Sequence, residues 1–176
     1  QARHEGSIPF GRSAEQTSVF QDPQLNFVMS QLPIVAIVGR PNVGKSTLFN
    51  RIVQKRHAIV DEQEGITRDR IYETVEWNGK HFRLADTGGY IPHEADVIDA
   101  AVREQVELAL QEAALVLFLV DGKDGIVASD EVLADLVRLS EKPSILTVNK
   151  IDNNEMESLT AEFYGLGMET LHSVSA

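Results

Sequence analysis

From residue 33 onward, short apolar runs alternate with stretches of helical period. Ile34-Val35-Ala36-Ile37-Val38 is a β-branched run of the kind a strand buried on both faces requires. A glycine-rich turn follows, and a helix is predicted through Ser46-Thr47-Leu48-Phe49-Asn50-Arg51-Ile52. Residues 55–69 are polar and carry no period. Residues 71–77 and 80–86 alternate around Asn78-Gly79, the dipeptide that best suits a tight hairpin turn. Between Val97 and Ala113, residues Ile98, Val102, Val106, Ala109 and Ala113 recur at spacings of three and four, which predicts a long amphipathic helix.

Leu115–Val120 is a further buried strand, and Ser129 with Asp130 and Glu131 supplies a cap and an acidic first turn for another helix, stopped by Pro143. Ile145–Val148, a short helix near 158–164, a Gly165–Gly167 loop and a strand at 170–174 complete the series. Alternating strands and helices with a single hairpin predict an α/β fold: a mostly parallel sheet with one antiparallel hairpin strand and helices on both faces. Residues 1–30, rich in Ser, Gln and Gly and without apolar period, are expected to form a poorly ordered leader, with the domain proper over 31–176 and Met29 a candidate start.

Composition narrows this picture in three ways. The absence of cysteine rules out disulfides and cysteine zinc sites, and the five histidines form no HExxH-type pair. No apolar run approaches the ~18 residues that span a bilayer, and no secretory signal pattern is present, so no membrane role and a cytoplasmic location are expected. The net charge of −11 is uneven: residues 86–176 carry 5 Lys/Arg against 18 Asp/Glu. Such a half repels phosphate backbones, so direct DNA binding is not expected.

The chemistry sits in the turns. Gly39-Arg-Pro-Asn-Val-Gly44-Lys45-Ser46 fits GxxxxGK[ST] and lies between a buried strand and a helix. Its glycines let backbone N–H groups, those of Val43 and Gly44 among them, turn toward phosphate oxygens. Lys45 brings a point charge to the β and γ phosphates, and the Ser46 hydroxyl suits Mg2+. Asp86-Thr87-Gly88-Gly89 ends a strand, where Asp86 is placed to hold Mg2+ through water and the Gly89 amide to reach a γ-phosphate. Thr67, in the polar segment between these motifs, offers a hydroxyl to complete the Mg2+ shell when the γ-phosphate is present. In Asn149-Lys150-Ile151-Asp152 a carboxylate can accept both guanine N1–H and the N2 amino group, which adenine does not offer. Asn149 is expected either to reach the base edge or to brace the loop, and the Lys150 stem to cover the ring. Ser175-Ala176 would offer a backbone N–H to guanine O6.

In this order GRPNVGKST, Thr67, DTGG, NKID and SA resemble the five motifs of translation-factor-class P-loop GTPases with a Ras-like G domain. The stretches GRPNVGKSTLFNRI, GITRDRIYETVEWNG and DTGGY, followed by VREQVELAL, are similar over about residues 33–176 to the first GTP-binding domain of the bacterial Der (EngA) family. The resemblance implies a GTPase that binds GTP/GDP and Mg2+, acts in assembly of the large ribosomal subunit, and uses Thr47 with the residues above. It also implies a K+ ion at Asn42, wrapped by the backbone near 60–66. It further implies a closing helix, a second G domain and a KH-like domain beyond Ala176, to which ribosome contact would mainly fall.

The residue after DTGG is Tyr90, where small GTPases place a water-orienting glutamine. Hydrolysis is therefore expected to use K+ as a fixed positive charge, the rival being a partner that supplies the catalytic group. Two other functions stay open: a related GTPase serving tRNA modification, and a guanine-nucleotide-dependent binding module with negligible turnover.

Overall fold

β1 (Ile34–Val38) ends at Gly39, and α1 (Lys45–Lys55) starts where the glycine-rich turn closes, its first internal bond running from Leu48 N to Gly44 O at 2.9 Å. The computed structural model describes residues 32–55, 58–59, 71–88, 100–153 and 157–176, and Leu32–Ala176 cluster as one unit. The expected leader, Thr67, Gly89, Tyr90, the 60–66 segment and the first residues of the helix expected from Val97 lie outside the described residues.

The remaining elements are β2 (Ala58–Ile59), β3 (Ile71–Trp77), β4 (Lys80–Asp86), α2 (Ala100–Glu112), β5 (Leu115–Asp121), α3 (Ala128–Leu139), β6 (Ser144–Asn149), a 3-10 helix (Ser158–Leu166) and β7 (Leu171–Ser173). The strands form one sheet in the order β2-β3-β4-β1-β5-β6-β7. β3 runs against both its neighbours, and every other adjacent pair is parallel. The chain passes from β1 to one side of the sheet and returns to the other with β5, so the C-terminal end of β1 is a topological switch point.

Side chains alternate along each strand, and the two faces of the sheet become two cores. Ala36 and Val38 face Val106, Leu110, Leu133 and Val137 of α2 and α3. Val35 and Ile37 face Phe49, Leu48 and Ile52 of α1. Full burial of side chains such as Phe118, Leu119 and Leu146 contributes about 1.5–3 kcal/mol each.

Three local expectations are corrected. β2 falls inside the stretch read as irregular; it is two residues long and joins the sheet only through its backbone pairing with β3, which leaves no side-chain period to read. The cap expected at Ser129 is not used: Val127 precedes α3, and the Asp130 carboxylate reaches back to accept the Val127 N–H at 3.2 Å. The helix near 158–164 is a 3-10 helix to Leu166, and its buried residues Thr160, Phe163 and Leu166 sit three apart, the period of that helix. No helix among the described residues is long and apolar enough to cross a membrane.

Candidate functional site

Every described motif lies at the C-terminal edge of the sheet. Register sets Ile37 beside Asp86, Val38 beside Phe118 and Asp121 beside Asn149, so β1 and β4 end together while β5 and β6 run on past them by about three residues on the same edge. Gly39 is buried at the end of β1, and residues 39–44 arch from it to α1.

Two carbonyls of this arch are pinned from outside. Asn149 Nδ2 donates to Val43 O at 2.8 Å, and Lys150 Nζ donates to Asn42 O at 3.1 Å. In a planar trans peptide the C=O and the following N–H point opposite ways. The amides of Val43 and Gly44 are thereby aimed away from Asn149 and Lys150, toward the hollow of the arch. The amides of Lys45, Ser46 and Thr47 open α1 without intrahelical acceptors, and no acidic side chain occupies that first turn. An anion meets unopposed partial positive charge there. Gly44 has φ +98°, and a Cβ on it would collide with the Asn149 amide, so only glycine closes the arch this tightly.

Lys45 is buried and its Nζ donates to Arg40 O at 2.8 Å. Burial pulls its ammonium down from the ordinary 10.5 to about 8; Asp86 opposes this and the Arg40 charge adds to it. Asp86 is also buried, with Oδ1 accepting the Gly88 N–H at 2.8 Å. A Cβ on Gly88 would lie 2.9 Å from Asp86 Oδ1 and 3.3 Å from Ser46 Oγ, so one turn brings the carboxylate, the hydroxyl and the Lys45 stem together. Thr87 fixes that turn by donating from Oγ1 to Ile37 O at 2.8 Å. One hydroxyl and one carboxylate set this close together fit Mg2+, which keeps waters and takes its other oxygens from substrate phosphates. Once bound, the ion would neutralise phosphate charge. Ser46 and Thr47 are both exposed.

At the other end Asn149 has a double task. Besides holding Val43 O, its Oδ1 accepts the Ala176 N–H at 2.9 Å. Of the two expectations for Asn149, the brace is the one formed here, and the Ala176 donor expected for guanine O6 is engaged by Asn149. Asp152 is exposed, with Oδ1 accepting from Ser175 Oγ at 2.7 Å and Oδ2 paired with Lys123 Nζ at 2.6 Å. Lys123 and then Ser175 hold its carboxyl below the ordinary range. Each carboxylate oxygen retains a further lone pair, so the group can still receive a planar donor pair.

Lys150 also forms an ion pair with buried Asp121. Burial disfavours the Asp121 charge, but Lys150 and the Lys123 N–H at 2.9 Å outweigh it and lower its pKa. Asn42 and Lys150 both have left-handed backbones, φ 64° and 66°, and the Lys150 side chain joins them. Such conformations cost about 1–3 kcal/mol each and persist where surroundings over-determine them.

Sequence reasoning missed Arg40, Asp121 and Lys123. Arg40 stands at a free position of its motif, and its guanidinium donates to Asp124 at 2.7 Å. The only hint was an acidic cluster after β5, a strand next to β1 in the sheet but distant in sequence. Thr67 and Gly89 lie outside the described residues, so the bound-state Mg2+ and γ-phosphate contacts expected of them are not placed.

Residues 34–150 match the family model described as 50S ribosome-binding GTPase. The chain is 55% identical over 145 residues to a GTPase Der from Symbiobacterium thermophilum, covering 82% of this chain and 31% of that protein. It is 56% identical over 135 residues to a GTPase Der from Flavobacterium johnsoniae, covering 77% of this chain and 31% of that protein. Among solved structures, Era in complex with MgGDPNP and a stretch of 16S ribosomal RNA superposes with a TM-score of 0.62 at 31% identity, over 81% of this chain and 50% of that one. The chain thus spans about a third of the length of the curated relatives it matches.

Proposed function

The chain belongs to the 50S ribosome-binding GTPase family, a guanine-nucleotide-binding, GTP-hydrolysing enzyme domain, and from that premise we propose that it is a timing switch in assembly of the large ribosomal subunit. The observation that carries the nucleotide-site part of this reading is Asn149, whose one amide ties the arch to the closing turn and joins three separate motifs, while the ribosomal part is supported by the family match. In this reading the arch amides of residues 43–47 and Lys45 hold the phosphates. Ser46, Asp86 and Thr67 serve Mg2+, and the Gly89 amide meets the γ-phosphate. Asp152 reads guanine N1–H and N2, the Lys150 stem covers the ring, and the Ser175-Ala176 turn approaches O6.

Potassium is part of the proposal. Asn42 is exposed at the crown of the arch with its backbone already pinned, so its side chain is available to an ion beside the phosphates. A fixed positive charge there would stabilise developing charge on the β–γ oxygens without a glutamine. The strongly acidic second half of the chain supports placing RNA contact away from that half. A cytoplasmic location belongs to the same reading.

The test is GTP hydrolysis in potassium chloride and in sodium chloride at equal ionic strength, with ATP as control. Potassium stimulation without ATP turnover is expected. Equal and very slow rates in both salts would favour a switch that borrows its catalytic group from a partner, or a nucleotide-binding module.

A further inference from the structure

Arg40 is gripped at both ends. Its carbonyl accepts Lys45 Nζ at 2.8 Å, while its guanidinium, only 14% exposed, turns away toward the start of α3. Nη2 meets Asp124 Oδ2 at 2.7 Å, and Nε lies 3.3 Å from Asp130 Oδ1. Asp130 is fully buried, and neither Arg40 Nε nor Asp130 Oδ1 has a hydrogen-bond partner among the described residues. Each is therefore the other's compensation, since a buried charge without its counter-charge is strongly unfavourable. The second Asp130 oxygen accepts the Val127 N–H, so one carboxylate both starts α3 and faces the arch.

We propose that Arg40 and Asp130 are a positioning pair that locks the phosphate arch to the N-terminal turn of α3 and so sets how tightly the site grips nucleotide phosphates. This rests on the reading of the site as a guanine-nucleotide site. Pro41 follows Arg40 directly and restricts the backbone of both residues, while Asp124 and Asp130 hold the guanidinium, so the Arg40 carbonyl and side chain are each fixed. Loosening the guanidinium frees the carbonyl on which the Lys45 ammonium rests, and the arch must then be ordered when phosphate binds. Base recognition at Asp152 is untouched by this. A planar guanidinium presents donors to two carboxylates in a fixed geometry, whereas a lysine ammonium is a compact point charge without that fork.

The test is a double-mutant cycle of Arg40→Gln, Asp130→Asn and the pair, reading GDP affinity, the GDP-to-IDP preference and thermal stability. Asp130→Asn keeps an acceptor for Val127, so the start of α3 survives while the charge goes. Each single change is expected to weaken GDP binding about tenfold, the double change to be scarcely worse than either single, and the GDP-to-IDP ratio to stay constant. Asp124, 55% exposed, is expected to matter less than twofold on Asp124→Asn. Should Arg40→Gln not fold, Arg40→Lys is expected to lose about three- to fivefold in GDP affinity.

Lowered thermal stability with unchanged GDP affinity below the transition would overturn the proposal, leaving the pair merely structural. So would additive effects, or an Asp124→Asn loss larger than that of Asp130→Asn. A wild-type chain that binds no GDP at all brings down the underlying nucleotide reading instead, and is distinguished by the missing wild-type signal.

Discussion

The two ends of the site are held by different physics. At the end proposed for the phosphates the candidate gripping groups are backbone, and their orientation is fixed by the buried side chains of Asn149 on Val43 O and Lys45 on Arg40 O, with half-buried Lys150 on Asn42 O. Asn149, Lys45, Asp86 and Asp121 are all buried there. At the end proposed for the base the group assigned to reading is one exposed carboxylate, Asp152, steadied by an exposed lysine and a serine hydroxyl. Phosphate is the same for every nucleotide, so rigid backbone suffices and burial strengthens it. A base is recognised by its pattern of donors, so the carboxylate must stand free at the edge to meet them. The phosphate end should therefore govern whether nucleotide binds, and the base end which nucleotide binds.

The largest effect should come from breaking the phosphate end at its charge. Lys45→Ala removes a buried ammonium facing the arch, and losing one partner of a buried charge pair costs about 2–5 kcal/mol. GDP affinity should fall by about 30-fold to several thousandfold, and affinity for xanthosine or inosine diphosphate should fall by a similar factor. Isothermal titration with all three diphosphates checks both parts. Unchanged GDP affinity would sink the assignment of the arch to phosphate.

This division was only partly visible along the chain. β1, β3, β4, β5 and β6 were legible because each carries an unbroken apolar run or a hairpin signal. The motifs could be placed at strand ends for the same reason: Gly39, Asp86 and Asn149 each directly follow or end such a run. What stayed hidden depends on contacts between distant residues. Arg40 occupies a motif position that tolerates anything, and nothing local links it to Asp130, 90 positions later. Asn149 could be read either as a base ligand or as a brace, because one amide has the chemistry for both and only the closeness of Val43 and Ala176 decides which bonds form. Cap choice at α3 was missed because Asp130 serves the helix by reaching back to a residue with no polar side chain.

The base end should respond to Asp152→Asn in another way. An amide at this position offers one acceptor and one donor in place of two acceptors, so guanine's N1–H and N2 group no longer both find partners. Guanine affinity should fall about 10- to 100-fold, while xanthosine diphosphate, with an acceptor where guanine has its amino group, should lose little or gain. Competition between the two diphosphates for one labelled ligand measures the ratio directly. A preference for guanine as strong as in the wild type would show that Asp152 does not read the base, and the contrast between the two ends would fail on that side.

The smallest effect is also the sharpest separation, because only the phosphate end should titrate near neutrality. Burial holds the Lys45 ammonium at about 8 in the folded chain, against 10.5 as its ordinary value. Between these values the unfolded chain keeps the proton and the folded chain has released it, so stability without nucleotide should rise with pH, by at most about 1.4 kcal/mol per unit. Bound phosphates favour the charged form and raise the Lys45 pKa, so above pH 8 nucleotide binding takes up a proton. GDP affinity should then fall as pH rises through 8–9, by up to about tenfold per unit, in the direction opposite to the stability of the free chain. At the base end the Asp152 carboxyl, lowered by Lys123 and Ser175, stays ionised throughout this window and adds no slope. Thermal melts with and without GDP from pH 7 to 9, and titration calorimetry in buffers of different ionisation enthalpy, read both slopes and the proton. In Lys45→Arg, which remains protonated across the window, both should vanish. Stability that is flat or falling above pH 8, or GDP binding at pH 9 without proton uptake, would mean that Lys45 is not the buried charge that distinguishes the two ends.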